Sequence, residues 1–153
     1  MTTMQEKTVL VTGGAGGIGT AICQRVAESG ASVILTYHNS KQSAETLLAS
    51  LPGTGHLALQ TRVDEPPTVQ ELAEQVQSQH GKLDVLVNCA GTTRFVPHHD
   101  LDALDDNLID EIFRINWRGA FACVRAFRSL LERGSDPLVI NISSIAAVSG
   151  TGS

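Results

Sequence analysis

The stretch Thr8-Val9-Leu10-Val11-Thr12-Gly13-Gly14-Ala15-Gly16-Gly17-Ile18-Gly19 decides the fold of this chain. Its first four residues are apolar or β-branched, as in a buried strand, and apolar residues at helical spacing follow the glycines. Backbone N–H groups at a helix N-terminus attract phosphate, and glycine leaves room for the phosphate to approach. The order strand, glycine turn, helix therefore predicts a site for the phosphates of a dinucleotide.

Two interleaved dinucleotide-binding spacings occupy this turn, GxGxxG at residues 14–19 and TGxxxGxG at residues 12–19. A P-loop would need Lys followed by Ser or Thr after the last glycine, and Thr20-Ala21 excludes it. The cofactor-binding residues predicted in the turn are Gly13, Gly14, Gly17, Ile18 and Gly19.

Strand-length apolar runs recur along the chain, and longer segments of helical character separate them. The runs are residues 8–11, 32–36, 56–60, 83–87 and 138–142. The helical segments are expected near residues 18–30, 40–51 and 66–81, with two more between residues 101 and 133. This alternation predicts an α/β fold with a parallel sheet covered by helices on both faces.

Composition narrows the classes of partner. A net charge of −5 argues against a general affinity for nucleic acid or anionic lipid. No run approaches the roughly 18 apolar residues of a membrane span, and the polar start does not resemble a signal peptide, so we expect a cytoplasmic protein without membrane association. The three cysteines contain no CxxC pair, and His98-His99-Asp100 cannot easily complete a tetrahedral site, so no metal site is predicted.

The end of the second predicted strand indicates which cofactor is bound. An Asp or Glu at this point would accept hydrogen bonds from a free ribose 2′-OH. Residues 36–41 read Thr-Tyr-His-Asn-Ser-Lys and contain no acid, whereas their donors and cation suit a 2′-phosphate. The sequence therefore favours NADP(H), with NAD(H) as the alternative. The residues expected to contact this part of the cofactor are Tyr37, His38, Asn39 and Ser40.

With these motifs in place, the chain resembles the short-chain dehydrogenase/reductase family over essentially its whole length. Residues 12–19 look like the family's TGxxxGIG turn, and residues 88–91 look like its NNAG motif with Cys89 in place of the second Asn. Asn116 stands where the family has a helix asparagine, and residues 141–144 look like the strand that carries the active-site serine. The resemblance implies one dinucleotide-binding (Rossmann) domain over residues 1–153, with a doubly wound parallel sheet of strand order 3-2-1-4-5.

The resemblance also implies an activity, the transfer of a hydride between nicotinamide and a small carbonyl or alcohol substrate. The nearest likeness within the family is to reductases of 3-oxoacyl thioesters. Ser144, with Ser143 as the alternative, would bind the substrate carbonyl, and Asn116 would belong to the proton path. Further cofactor contacts are implied at Val63, Asn88, Ala90 and Gly91.

The resemblance also bears on the adenine contact and on the oligomeric state. Arg62 stands where the family commonly has an acid beside the adenine, so the usual carboxylate is missing at this position. The stripe of Trp117, Phe121, Val124 and Phe127 has the spacing of a core or subunit interface, and relatives commonly pair through this region, so we expect a homo-oligomer.

The family's acid-base Tyr-x-x-x-Lys is missing from the sequence. The single tyrosine, Tyr37, belongs to the adenosine end, and by family spacing the motif would fall just beyond Ser153. We therefore expect the domain to be incomplete at its C-terminus, as part of a longer enzyme or as a natural truncation, and inactive alone, with residues 138–142 left as an apolar sheet edge.

Two other functions compete with this interpretation. One is a non-catalytic nucleotide-binding or regulatory module that has lost the tyrosine and lysine. The other is a methyltransferase with a similar sheet, but such an enzyme usually has an acid at the end of the second strand, and it does not explain Asn116 or Ser144.

Overall fold

In the computed structural model, which describes residues 4–149, five strands form a single sheet. They are β1 (Thr8–Val11), β2 (Ser32–Tyr37), β3 (Leu57–Gln60), β4 (Val85–Asn88) and β5 (Leu138–Asn141). The spatial order is β3-β2-β1-β4-β5 and every neighbouring pair is parallel. The predicted doubly wound sheet and its strand order are confirmed, so the carboxyl ends of all five strands meet along one edge.

Six α-helices and one π-helical segment connect and follow the strands of the described chain. The α-helices are α1 (Gly17–Glu28), α2 (Lys41–Ser50), α3 (Pro66–His80), α4 (Asp106–Ile112), α5 (Ala120–Leu131) and α6 (Ala146–Ser149). Helix α3 begins with Pro66, where a missing N–H costs nothing. The carboxylate of Asp105 caps α4 by accepting a hydrogen bond from the N–H of Leu108 at 2.9 Å.

Alternate residues of β1 enter two separate cores because successive side chains of a strand point to opposite faces. Val9 and Val11 pack with α1 and α2, through residues such as Cys23 and Leu47. Leu10 packs with α3 and α5 on the other face, where Phe127 is fully buried. Both faces of the central strands are therefore covered, as the continuous apolar runs predict.

The region between residues 101 and 133 contains the two predicted helices, α4 and α5. A π-helical segment, Phe113–Gly119, joins them into one helical run, and the sequence did not predict this connection. Short π-helical segments inside α-helices are frequent at functional sites. The segment passes close to the end of β3, because a Cβ at Gly119 would lie 2.8 Å from Cγ2 of Val63.

At the amino ends of the strands, Asp84 is a buried carboxylate with 0% exposure. It accepts hydrogen bonds from the backbone N–H groups of Thr8 and Ser135, both at 2.8 Å. Its oxygens also lie 3.6 Å from Nζ of Lys7 and 3.2 Å from Nζ of Lys82. Burial acts to raise the pKa of Asp84, but these hydrogen bonds and the charge of Lys82 hold it below its usual value.

Strand β5 forms the exposed edge that the sequence predicted. Leu138 is 51% exposed and Val139 is 37% exposed, although both belong to the sheet. Their partners in β4, Val85 and Leu86, pack into opposite cores, so β5 exposes apolar atoms on both of its faces. None of the helices within residues 4–149 has the length and apolar character needed to cross a membrane.

Candidate nucleotide-binding site

A cavity of about 750 Å³ opens at the carboxyl ends of the strands. It runs from the turn between β1 and α1, past the ends of β2 and β3, to the segment that follows β4. Its walls combine glycine-rich backbone with the hydroxyl, imidazole and guanidinium groups of a few side chains. In open α/β sheets, ligands bind in the crevice outside the carboxyl ends of the strands, so this cavity is the candidate site.

The glycine turn is compact because several of its residues leave no space for a side chain. Gly13 has a φ of +64°, and a Cβ on it would lie 2.9 Å from Cα of Ala90. A Cβ on Gly19 would lie 2.7 Å from Cα of Gly14 and closer still to the carbonyl oxygen of Gly13. Glycine at these positions therefore allows the turn to fold back against both α1 and the end of β4.

The N-terminus of α1 faces the cavity without a capping side chain. Gly16 occupies the N-cap position and supplies no side-chain hydrogen bond. Gly17 also lines the cavity, and a Cβ added to it would meet no described protein atom within 4 Å. Uncapped N–H groups at a helix N-terminus need an acceptor, and the helix dipole favours an anionic one. The space at Gly17 therefore fits a phosphate group.

Thr12 fixes the segment after β4 to the glycine turn. Its side chain is buried, and its Oγ1 accepts hydrogen bonds from the N–H groups of Cys89 and Ala90 at 3.0 and 3.1 Å. Cys89, Ala90 and Gly91 all line the cavity. One threonine hydroxyl thus places two walls of the cavity side by side.

The end of β2 supplies the polar wall. Thr36 is buried, and its Oγ1 accepts a hydrogen bond from the N–H of Gly13 at 3.1 Å. The cavity is then lined by Tyr37, His38, Asn39 and Ser40. None of these residues carries a carboxylate. Lys41 follows at the first position of α2, where its Nζ lies 3.7 Å from a carboxylate oxygen of Glu45.

The end of β3 carries an ion-pair network. Nη2 of Arg62 lies 3.0 Å from Oδ2 of Asp64, and Nη1 lies 2.9 Å from Oε1 of Glu65. Nε of Arg114 is 3.2 Å from the same Asp64 oxygen. Burial acts to raise the pKa of Asp64, but the hydrogen bond from Arg62 and the two guanidinium charges hold it below its usual value. Beside the network, Thr61 also lines the cavity, and its buried Oγ1 has no hydrogen-bond partner among the described residues.

Most of the predicted cofactor-binding residues line the cavity. They are Gly13, Gly17, Ile18, Gly19, Tyr37, His38, Asn39, Ser40, Val63, Ala90 and Gly91. Gly14 and Asn88 do not. A Cβ on Gly14 would lie 2.6 Å from Cβ of Leu35, so this glycine faces the sheet. Nδ2 of Asn88 donates to Oδ1 of Asn141 at 2.9 Å, which joins β4 to β5.

The two predicted catalytic residues lie outside the cavity wall and are exposed. Asn116, in the π-helical segment, accepts a hydrogen bond from the N–H of Thr92 at 2.7 Å and donates to its carbonyl oxygen at 2.9 Å. Ser144 follows β5, and its Oγ accepts from the N–H of Ala146 at 3.2 Å. Asn116 therefore holds the segment that leaves β4, while the Ser144 hydroxyl remains accessible.

Several lining residues escaped the sequence analysis. They are Ala15, Gly16, Thr36, Thr61, Asp64, Cys89, Thr92, Glu111, Ile115 and Ile142. Four of them lie within motifs that the sequence analysis identified, so their contact with the cavity could have been predicted. These four are Ala15, Gly16, Thr36 and Cys89. Glu111 and Ile115 reach the cavity from the helical run over 106–119, and no local pattern announces that contact.

The other metal-binding, thiol and amine groups of the described chain offer no second site. Within residues 4–149, no group of three or more His, Cys, Asp or Glu side chains could hold a metal ion. Burial raises the pKa of both Cys23 and Cys123 to about 12, so these thiols stay protonated. Lys7 and Lys82 are both ion-paired with Asp84 at the opposite ends of the strands.

Comparison with known proteins gives a consistent result. Residues 7–153 match the short chain dehydrogenase family. The chain is 36% identical over 144 residues to ketoacyl reductase 2 of the granaticin polyketide synthase of Streptomyces violaceoruber, covering 94% of this chain and 57% of that protein. It is 34% identical over 146 residues to a 3-oxoacyl-[acyl-carrier-protein] reductase of Staphylococcus aureus, covering 94% of this chain and 58% of the relative.

A solved structure extends the similarity to the fold. The short chain dehydrogenase from Burkholderia cenocepacia, in complex with NADP, superposes with a TM-score of 0.87 at 32% identity, covering 97% of this chain and 60% of that one. The chain thus spans less than two thirds of the length of these relatives. Strand order, glycine turn and sequence similarity agree, and the chain belongs to the short-chain dehydrogenase family.

Proposed function

We propose that this chain is the cofactor-binding part of an NAD(P)(H)-dependent oxidoreductase that interconverts a carbonyl and an alcohol. The observation that carries the proposal is the uncapped N-terminus of α1, which faces a cavity of about 750 Å³ at Gly17. The names of the relatives, a ketoacyl reductase and a 3-oxoacyl-[acyl-carrier-protein] reductase, support a carbonyl substrate.

Each part of the cavity wall has a role in this proposal. The N–H groups at the start of α1 hold the pyrophosphate, and the end of β2 binds the adenosine ribose. Ala90, Gly91 and Ile142 border the end of the cavity that lies next to β4 and β5, toward Ser144. A bound nicotinamide supplies or accepts the hydride at its C4 atom, and the chain contributes binding, orientation and exclusion of water.

Cofactor selectivity follows from the end of β2. Because residues 37–40 contain no carboxylate to hold a free 2′-OH, we expect NADPH to bind more tightly than NADH by about tenfold or more. His38→Asp would place an acid beside the ribose and should reverse this order. Titration of both proteins with both dinucleotides by calorimetry measures the two ratios. Tighter binding of NADH to the unchanged protein would contradict the NADP(H) assignment.

Ser144 is proposed as the hydroxyl that binds the substrate carbonyl. Its Oγ is exposed and already accepts a hydrogen bond from the N–H of Ala146, which leaves its own proton available to donate. Asn116 is proposed as an anchor of the proton path, acting through the segment after β4 that it holds.

Ser144→Ala should lower the rate of hydride transfer by about a hundredfold, because a donor aimed at the reacting oxygen is lost. The Kd for NADPH should change less than about threefold, since Ser144 lies outside the cavity wall. The measurement is single-turnover oxidation of NADPH in the enzyme that contains this chain together with an acid-base group. Ser143→Ala is the matched control. Unchanged turnover in Ser144→Ala would show that Ser144 does not bind the substrate carbonyl.

The 153-residue chain itself is proposed to bind cofactor without turnover. Its one tyrosine, Tyr37, lines the cavity at the end of β2, and Lys41 follows it at the start of α2. Both residues lie at the end of β2, whereas Ser144 follows β5, and strands β1 and β4 lie between β2 and β5. A non-catalytic nucleotide-binding module remains the competing function. The chain alone should show no turnover under either function, so the distinguishing assay uses the enzyme that contains this chain together with an acid-base group. Turnover of NADPH with a small ketone or 3-oxoacyl thioester by that enzyme would support the oxidoreductase, and no turnover would favour the binding module.

We also propose that copies of the protein associate through the exposed face of the helical run over 106–131. Trp117 is 68% exposed and Phe121 is 57% exposed, and their rings stack with centroids 6.3 Å apart. Phe127, from the same predicted stripe, is buried in the core instead. Exposed aromatic clusters of this kind mark interaction surfaces. Trp117→Ser should shift the mass measured by light scattering toward the monomer, and an unchanged mass would place the interface elsewhere.

A further inference from the structure

Arg62 lines the part of the cavity that a nucleotide base would reach. The pyrophosphate is assigned to the start of α1 and the ribose to the end of β2 in the function proposed above. Strand β3 lies next to β2 at the sheet edge, and the cavity continues to residues 61–64 at its end. A base attached to a ribose at β2 therefore extends toward Arg62.

The guanidinium of Arg62 is held in place by two carboxylates. Its Nε and Nη2 donate to the two oxygens of Asp64, at 3.4 and 3.0 Å, and Nη1 pairs with Glu65 at 2.9 Å. The hydrogen bond to Asp64 raises the pKa of Arg62 above its usual value, so the group keeps its charge. A guanidinium fixed in this way is preorganised to bind a ligand.

The same contacts leave hydrogen-bond donors available. A guanidinium has five N–H groups, and the three contacts to Asp64 and Glu65 leave one on each terminal nitrogen. The side chain is 41% exposed and lines the cavity. A donor pair on neighbouring nitrogens matches two neighbouring acceptors, as when arginine binds O6 and N7 of guanine.

We propose that Arg62 is a specificity-determining residue that donates to acceptor atoms on the edge of the bound purine, so that the site accepts a 6-oxopurine base at least as well as adenine. Adenine presents an acceptor at N7 but a donor at its 6-amino group, which faces a guanidinium unfavourably. A 6-oxopurine presents acceptors at both O6 and N7. This inference rests on the proposed function, because it requires a purine dinucleotide in the cavity.

The test compares NADPH with its hypoxanthine analogue, which differs from it only in the purine. The Kd of each is measured by calorimetry for the unchanged protein and for Arg62→Met, which keeps the apolar stem and removes the donors. Asp64 retains Arg114 as a partner in this variant. Arg62→Lys provides a second variant, because lysine keeps the charge but cannot bind two acceptors through a planar fork. The matched control is Arg128→Met, which removes a partnered surface arginine from α5.

The unchanged protein should bind the hypoxanthine analogue as tightly as NADPH or up to about tenfold more tightly. In Arg62→Met and Arg62→Lys the ratio of the two Kd values should move by about tenfold toward adenine, and in Arg128→Met it should not move. A ratio of two ligands on one protein cancels any general loss of affinity. A preference for NADPH in the unchanged protein, or a ratio that Arg62→Met leaves unmoved, would overturn the inference. Failure of both dinucleotides to bind would instead refute the proposed function.

Discussion

Gly17→Ala is expected to weaken NADPH binding by about a hundredfold while leaving the fold intact. The added methyl group meets no described protein atom within 4 Å, and alanine at the start of a helix is favourable, so the free energy of unfolding should stay the same or rise by up to about 1 kcal/mol. The methyl group would instead occupy the space in which the pyrophosphate approaches the N–H groups of α1. Calorimetric titration and urea denaturation measure the two effects separately.

Gly19→Ala is the matched variant for this prediction. Its methyl group would lie 2.7 Å from Cα of Gly14, so the turn itself must shift. This variant should lose both affinity and stability, whereas Gly17→Ala should lose affinity alone. If Gly17→Ala bound NADPH as tightly as the unchanged protein, the phosphate could not lie at the start of α1.

Asp84→Ala is expected to lower the free energy of unfolding by about 3–5 kcal/mol. The substitution would leave the buried N–H groups of Thr8 and Ser135 without their acceptor and remove the shared partner of Lys7 and Lys82. Glu28→Ala is the control, because its exposed pair with Arg25 at 3.4 Å contributes about 0–1 kcal/mol. Urea denaturation at neutral pH compares the two, and equal losses would contradict a stabilising role for the buried contacts of Asp84.

The same carboxylate makes stability depend on pH. Because the pKa of Asp84 is lower in the folded protein than in the unfolded chain, its contribution is complete above the unfolded value near pH 4. That contribution is lost as the pH falls through the folded pKa. The unchanged protein should therefore lose more stability than Asp84→Ala on acidification from about pH 5 to pH 2. Parallel stability curves for the two proteins would contradict this linkage.

Much of the fold could be predicted because it depends on local patterns. Continuous apolar runs of strand length identified all five strands, with ends that differ from the observed ones by no more than two residues. The glycine turn identified the first crossover, and the alternation of strand and helix then left few topologies to consider. Chain length and composition alone could not have fixed the strand order.

The parts that could not be predicted depend on contacts between distant residues. Asn88 belongs to a recognisable motif, but its side chain turns to Asn141 in a neighbouring strand rather than into the cavity. Asparagine is a poor helix former, and the two hydrogen bonds between Asn116 and Thr92 explain its presence in the helical run. The π-helical segment that contains it joins the two predicted helices, and no pattern in the sequence indicated that connection.

The ion-pair network around Arg62 contains some contacts that could be predicted from the sequence and one that could not. Asp64 and Glu65 are two and three residues away, so these partners could have been guessed from the sequence. Arg114, which shares Asp64, is 50 positions further along the chain and is brought there only by the packing of the helical run against the end of β3. The presence of Arg62 in place of an acid was visible in the sequence, whereas the second guanidinium that shares Asp64 was not.

The most direct test of phosphate binding at the start of α1 is an NMR titration of the protein with NADPH. We expect the backbone N–H resonances of residues 16–19 to shift saturably, with the same Kd as resonances of residues 37–40 at the end of β2. The N–H of Thr8, held by Asp84 at the opposite ends of the strands, should not move and serves as the internal control. Saturable binding that shifts resonances elsewhere and leaves residues 16–19 unchanged would contradict the proposed site.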